Sequence, residues 1–141
     1  MDKKIQPRGI RNCNPLNIIK GSNWKGLRPE QTDSKFCQFE SMFFGWRAAL
    51  ILLRNYIEGR TSSRVKYNTI EKVINRWAPI TENATQRYID NVAEDLGIDP
   101  RETFSFSDKE IICQMVASMA FVECGHRFDV EDIESVYDCI I

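Results

Sequence analysis

Several features that mark common classes of protein are missing from this sequence. No stretch is apolar over the roughly 20 residues that a membrane-spanning helix needs, so we expect no stable membrane insertion. The N-terminus, Met-Asp-Lys-Lys-Ile-Gln-Pro-Arg-Gly, lacks the apolar core of a secretory signal. There is a single histidine, and the five cysteines form neither a Cys-x-x-Cys pair nor a Cys/His ligand pattern. We therefore expect a protein made in the cytoplasm with reduced thiols, and no metal or other cofactor.

The sequence also lacks a strong net charge. Its formal net charge is −1 at pH 7, although residues 1–30 carry a net +5 and residues 101–141 a net −6. Asn, Pro and Gly dilute the basic segment, so we expect no nucleic-acid partner. The opposite charges favour chain ends that attract each other and lie close together in the fold.

The pattern of hydrophobic residues predicts one mainly α (α+β) domain over residues 1–141. Residues 1–40 have no helical period and are rich in turn-forming Asn, Pro and Gly. We expect a small irregular β lobe there, in which Phe36 and its neighbours pair with Ile18 and Ile19. Capping and stop signals then predict helices over Ser41–Gly59, from an Asn68/Glu71 capping box to a stop at Pro79, from Thr81 or Asn83 to Gly97, over Ser107–Gly125 and over Asp129–Ile141.

The helix over Ser107–Gly125 carries the clearest candidate for chemistry. Ser107 and Glu110 are spaced as a capping box, and Gly125 is suited to end the helix. Glu123 continues an apolar face that includes Val116 and Met119, so its carboxyl group is predicted to face the core or a cleft. Burial and the negative end of the helix dipole both favour the neutral acid. A Glu that stays protonated near neutral pH is what a general acid in glycoside cleavage requires.

The end of this helix resembles a motif of the lysozyme-like peptidoglycan hydrolases. Met119-Ala-Phe-Val-Glu-Cys-Gly-His126 is similar to their Ala-x-x-Glu-Ser-Gly, in which the Glu is the acid. Cys124 stands at the position of the usual Ser, and His126 at the position of a common aromatic residue. Three further segments are similar to motifs of the flagellar and autolysin-type glucosaminidases: Asn14–Gly26, Phe36–Ser41 with the helix behind it, and Ala84–Tyr88.

The order of these motifs differs from that of the family. There the acid helix comes first, whereas Glu123 follows the other motifs here, so the resemblance implies a circularly permuted lysozyme-like domain. The chain also resembles a phage-associated group of virion or lytic components. The segments that carry this second resemblance are Arg8–Pro15, Arg76–Pro79 and Glu82–Thr85.

The resemblance implies an enzyme that cleaves the β-1,4 glycan strand of peptidoglycan, as a muramidase, a glucosaminidase or a lytic transglycosylase. Glu123 would protonate the leaving oxygen. Tyr88 would lie under the developing oxocarbenium ion or orient the N-acetyl group. The expected partner is peptidoglycan and the expected state a monomer, which reaches the cell wall after release, virion delivery or specialised secretion.

Five other residues are candidates for substrate contacts under this resemblance. Asn14 and Asn17 would bind amide and hydroxyl groups of the sugars, and Trp24 would stack on a sugar ring. Glu30 and Asp33 are candidates to activate water, unless the acetamido group of the substrate serves as the internal nucleophile.

Each candidate also has an ordinary structural interpretation. The asparagines are residues that cap loops, and Trp24 suits an anchor of a surface lobe. Tyr88 suits a core position with its hydroxyl satisfied. Glu123 itself would be unremarkable if it turned to solvent at the helix end or paired with an arginine.

Two other functions compete with the glycosidase. Cys124 and His126 suggest a cell-wall endopeptidase, although side chains two residues apart at a helix end point in different directions. The other alternative is a non-catalytic virion or cell-wall-binding protein that keeps the fold without the activity.

Overall fold

A long buried helix lies at the centre of the structure and the other helices pack around it. The computed structural model describes residues 6–78 and 82–141, without the side chains of residues 82 and 83. Within these ranges the chain forms six helices: α1 (Arg8–Arg11), α2 (Met42–Ile57), α3 (Ile70–Trp77), α4 (Glu82–Leu96), α5 (Lys109–Cys124) and α6 (Val130–Ile140).

Helix α5 is the central one because it is apolar on almost every side. Ile112, Met115, Val116, Met119 and Ala120 are all fully buried, which confirms the predicted apolar face. The helix contacts α1, α4 and α6, while α2 packs on α6 and α3 on α4. Because α5 packs against several other helices, the side chains at its end lie in a well-defined environment.

The predicted start of α5 is wrong by one residue. The N-terminal cap is Asp108, and no side chain caps the first turn. The Ser107 hydroxyl is paired with the Ser105 hydroxyl at 2.5 Å, and Asp108 Oδ2 accepts a hydrogen bond from the Ser105 backbone N–H. The predicted end is confirmed, because Gly125 adopts the left-handed conformation (φ 70°) that terminates a helix.

The other helices follow their sequence signals to within a few residues. Thr69, rather than Asn68, caps α3 and accepts a hydrogen bond from the Lys72 backbone N–H at 3.1 Å. Helix α6 begins one residue after the predicted start, with Asp129 as its N-terminal cap. Pro79 and Thr81, the predicted stop of α3 and one predicted start of α4, lie outside the described residues.

The N-terminal segment is less regular than a β lobe. Only two isolated β-bridges are formed in the described part of the chain, Ile19 with Phe36 and Leu27 with Phe39. A one-turn helix, α1, was not predicted. The fold is thus mainly α, and the lysozyme-like architecture and its permutation stay predictions.

The charged ends of the chain are not joined by ion pairs in the described ranges. Arg8 pairs with Asp33 and Lys109 with Asp138, each within its own part of the sequence. Close packing instead brings the N-terminal segment to the end of α5: a Cβ on Gly9 would overlap Cys124 Sγ. Residues 1–5, which carry part of the predicted positive charge, lie outside the described residues.

None of the described helices combines the length and the apolar character needed to cross a bilayer.

Candidate functional site

Glu123 lies in the last turn of α5, where a buried helix face reaches the surface. Met119, one turn earlier on the same face, is fully buried, whereas Glu123 is half-buried. Burial raises the pKa of the Glu123 carboxyl group above its ordinary value, and hydrogen bonds from Asn17 and Tyr88 offset part of that rise. The predicted environment of this carboxyl group is confirmed, since it is neither fully solvated nor paired with an arginine among the described residues.

Asn17 approaches Glu123 from the N-terminal segment. Its Nδ2 donates a hydrogen bond to Glu123 Oε1 at 3.1 Å. The residue has a positive φ of 52°, which Asn tolerates better than most side chains, and its backbone N–H donates to the Asn14 carbonyl oxygen at 3.0 Å. This tight turn directs the Asn17 amide at the end of α5.

Tyr88 approaches from α4 on the other side. It is buried, and its one hydroxyl hydrogen has two acceptors within reach, the Met119 carbonyl oxygen at 3.4 Å and the Glu123 carboxyl group. Burial, followed by the nearby charge of Glu123, raises the pKa of the Tyr88 hydroxyl well above its usual range. The structure therefore brings together Glu123, Asn17 and Tyr88, three of the residues singled out from the sequence.

A cleft of about 370 Å³ opens beside this group. Its polar wall comes from α4 and its floor from the end of α5; the lining includes Thr85, Arg87, Tyr88, Asn91, Val122 and Glu123. Glu123 is the only carboxylate among these described lining residues. Arg87 and Asn91 were not predicted from the sequence, although Asn91 lies three residues after Tyr88 and so on the same side of a helix.

A second, smaller cavity of about 230 Å³ adjoins Asn17. Trp24 lines this cavity together with Tyr56, Arg76 and Trp77, and it does not line the cleft beside Tyr88. Trp24 is only partly buried and packs against the core, which is compatible with an anchor of the N-terminal segment. If Trp24 contacts a sugar, as the sequence predicts, the contact would have to be made in this smaller cavity.

Asn14 has a structural position. It is fully buried; its Nδ2 donates to the carbonyl oxygens of Ile18 and Cys37 at 3.0 Å each, and its Oδ1 accepts from the Ile18 backbone N–H at 2.9 Å. These contacts occupy both ends of the amide and fix the N-terminal segment. Asn14 therefore has no free group to offer a sugar, contrary to the predicted substrate contact.

The two acidic candidates of the N-terminal segment do not line the Glu123 cleft. Asp33 forms a bidentate pair with Arg8 and accepts hydrogen bonds from the backbone N–H groups of Lys35 and Phe36 at 2.9 and 2.8 Å. The Arg8 guanidinium is the main reason that the pKa of Asp33 lies well below its usual range. Asp33 thus stabilises a turn, and Glu30 is exposed at the surface.

The geometry does not support the Cys124/His126 pair. Cys124 is buried, its thiol donates to the Pro15 carbonyl oxygen at 3.2 Å, and burial raises its pKa to about 11. His126 is exposed and stacks edge-on against Phe128, with ring centroids 4.6 Å apart. In the described part of the chain, no three His, Cys, Asp or Glu side chains are grouped to hold a metal ion.

Comparison with known proteins connects the chain to a virus of bacteria. No protein-family model matches the sequence. Over 97 residues the chain is 42% identical to Protein P5 of Pseudoalteromonas phage PM2. The chain has a bacteriophage relative. The aligned region covers 64% of the chain and 56% of Protein P5, so the chain spans little more than half of that protein's length.

Proposed function

We propose that this chain is a bacteriophage protein that cleaves the glycan strand of peptidoglycan, with Glu123 as the general acid. The observation that carries the proposal is a half-buried carboxyl group, with its pKa raised by burial, at the edge of a cleft of about 370 Å³. A carboxylic acid that remains protonated toward neutral pH can donate a proton to a glycosidic oxygen. Arg87 and Asn91 line the same cleft and add groups that can form hydrogen bonds with a ligand.

The group that attacks the anomeric carbon can be inferred from which carboxylates line the cleft. Asp33 is engaged by Arg8 and two backbone N–H groups, and Glu30 does not line the cleft. Among the side chains that the structure describes, no carboxylate other than Glu123 lines the cleft, and on that basis we assign the attack on the anomeric carbon to the acetamido oxygen of the substrate. As the new carbon–oxygen bond forms, the bond to the leaving oxygen breaks and that oxygen takes the proton from Glu123. Water, or a hydroxyl of the same sugar, then opens the cyclic intermediate and returns a proton to Glu123.

A second candidate is a non-catalytic component of a phage particle, or a wall-binding protein. The comparison favours this candidate more directly than the enzyme, because it links the chain to a bacteriophage and to no reaction. Under this function the cleft beside Tyr88 would bind glycan or a particle component without cleaving it. Delivery with the virion suits both candidates.

Digestion of purified peptidoglycan by the parent and by Glu123→Gln separates the candidates. The Gln side chain keeps the size and can donate to acceptors, but it gives up no proton. If the chain is the proposed enzyme, the parent releases soluble muropeptides, Glu123→Gln releases none, and both bind the insoluble polymer. Glu110→Gln is the matched control, since it removes an exposed carboxylate from the first turn of the same helix.

The other outcomes identify the alternatives. Binding of parent protein to peptidoglycan without any released product indicates a wall-binding protein. Neither binding nor product indicates a particle component. Mass spectrometry of the released ends then distinguishes the three possible cleavages, because anhydro, reduced muramic acid and reduced glucosamine ends have different masses.

A further inference from the structure

Only one end of the Asn17 side-chain amide has a hydrogen-bond partner among the described residues. Its Nδ2 donates to Glu123 Oε1 at 3.1 Å. Its Oδ1 is buried and accepts no hydrogen bond from residues 6–78 or 82–141. Buried acceptors without a donor are uncommon in proteins, because such an atom has lost water and gained no partner. The amide is therefore poorly satisfied in the orientation in which it donates to Glu123.

Oδ1 borders the space beside Gly9 together with two other electron-rich atoms. A Cβ on Gly9 would lie 3.2 Å from Asn17 Oδ1 and 3.0 Å from the Asn14 backbone oxygen, and closer still to Cys124 Sγ. The hydrogen of the Cys124 thiol is directed away, to the Pro15 carbonyl oxygen at 3.2 Å. Three electron-rich atoms thus converge on one small space beside Gly9. An NH2 group at the position of Oδ1 would offer hydrogens to this side, where the amide oxygen offers none.

Half a turn about the last side-chain torsion of Asn17 exchanges the two ends of the amide. Nδ2 then faces the acceptors beside Gly9, and Oδ1 faces Oε1 of Glu123. Two oxygen atoms at this separation need a hydrogen between them, and the amide oxygen carries none. Only the protonated carboxyl group of Glu123 can supply it.

We propose that Asn17 is a positioning residue that holds Glu123 in its protonated form, by accepting the carboxyl hydrogen on Oδ1 while its NH2 group faces Asn14 and Cys124. After Glu123 gives up its proton, the amide turns to donate Nδ2–H to the carboxylate, as in the structure. Reprotonation turns it back. The role differs from the sugar contact predicted from the sequence, since Asn17 acts through Glu123.

Few other groups influence this equilibrium. Among the described residues, the titratable or charged side chains near Glu123 are Tyr88 and Arg87 of α4 and the adjacent Cys124. Burial favours the acid, and the hydrogen bond from Asn17 in its present orientation favours the carboxylate; in the turned orientation Asn17 would instead favour the acid. The inference deepens the proposed function, and its catalytic meaning rests on Glu123 being the acid.

Nuclear Overhauser contacts of the Asn17 NH2 group test the proposal on the unaltered protein. Below the titration midpoint of Glu123, followed through its labelled side-chain carboxyl carbon, we expect contacts from the Asn17 NH2 hydrogens to the Gly9 α-hydrogens and the Cys124 β-hydrogens. Above the midpoint we expect contacts to the Glu123 γ-hydrogens. Contacts to Glu123 alone at every pH would overturn the proposal.

A variant gives an independent test through the sign of a shift. Asn17→Leu removes the amide and keeps the site dry, so we expect Glu123 to bind its proton about tenfold more weakly, which lowers the midpoint by about one pH unit. A donor-only Asn17 would stabilise the carboxylate, and its loss would raise the midpoint; a rise or no change refutes the proposal. Arg64→Leu is the matched control, because it places Leu at a similar positive φ of 57° in an exposed loop.

These measurements do not depend on activity. A turning amide in a protein that cuts no glycan would refute the proposed function and support the role of Asn17. An Asn17 NH2 group that faces Glu123 at every pH in an active enzyme would refute the role of Asn17 and support the proposed function.

Discussion

Gly9 and Cys124 meet so closely that no side chain fits between them: a Cβ at position 9 would overlap the Cys124 sulfur. Gly9 belongs to the one-turn helix α1, and Cys124 follows the acid at the end of α5. The same missing Cβ leaves room for Asn17 Oδ1, 3.2 Å from its position. The contact therefore sets how closely the N-terminal segment approaches Glu123.

Gly9→Ala should destabilise the protein and weaken the site. The added methyl group must displace the sulfur or the backbone, which typically costs about 1–3 kcal/mol in a packed interior. Thermal unfolding measures the loss of stability, and peptidoglycan digestion measures the loss of activity. Adding Cys124→Ala should recover part of the stability because it removes the clashing atom. Strictly additive losses would show that the two residues do not interact.

The stability of Glu123→Gln relative to the parent should depend on pH. Burial raises the pKa of Glu123 in the folded protein above its unfolded value of about 4.3. The folded parent therefore holds this proton more tightly than the unfolded chain, and this contribution is fully present below the unfolded pKa. It is lost as pH rises through the folded pKa and then levels off. The free energy of unfolding, measured with denaturant from about pH 4 to about pH 8, should rise for Glu123→Gln relative to the parent as pH increases. If the two curves of unfolding free energy against pH stay parallel, Glu123 is a solvated carboxylate.

Asp33→Asn should lower stability and leave catalysis intact. The substitution removes the charge that pairs with Arg8 and weakens acceptance from two backbone N–H groups, a loss of about 1–2 kcal/mol. Since the pKa of Asp33 is depressed in the folded protein, its stabilisation is present above the unfolded pKa and is lost as pH falls below it. The deficit of the variant should therefore shrink in acid. Loss of cleavage by a folded Asp33→Asn would restore Asp33 as a catalytic base.

Cys124→Ser should retain cleavage. The Cys124 thiol is buried, its pKa is about 11, and its hydrogen is given to the Pro15 carbonyl oxygen, so it is not a thiolate nucleophile at neutral pH. A serine hydroxyl can make the same hydrogen bond. Digestion should proceed within about twofold of the parent rate, which is less than 1 kcal/mol in activation free energy. A rate reduced by orders of magnitude, with an unchanged melting temperature, would favour the endopeptidase.

Local pattern was sufficient to predict most of the helices and the placement of Glu123. The apolar spacing of α5 and the left-handed Gly125 are properties of a short stretch, and so is the continuation of the buried face to position 123. The cap at Ser107 failed because the Ser105 hydroxyl, two residues away, takes the Ser107 side chain instead. Where two neighbouring side chains can form alternative hydrogen bonds, as Ser105 and Ser107 can, the sequence alone does not show which bond forms.

The roles of the polar residues in the N-terminal segment depend on contacts far along the chain. Asn14 and Asp33 have side chains suited to bind a substrate, but Asn14 donates a hydrogen bond to the Cys37 carbonyl oxygen and Asp33 pairs with Arg8. Asn17 has the same residue type as Asn14 and a different partner, Glu123, 106 positions away. No residue pattern within the segment distinguishes these cases, because the distinction is made by tertiary packing.

The hydrogen bond between Asn17 and Glu123 also bears on when the site comes into being during synthesis. It joins residues that are 106 positions apart, a span that a growing polypeptide completes only after most of its helices have been synthesised. Until residues 9 and 17 have packed against the end of α5, Glu123 has neither its Asn17 partner nor the close packing of Gly9 against Cys124. No single stretch of the chain can form the site by itself, and the proposed chemistry therefore requires the folded protein.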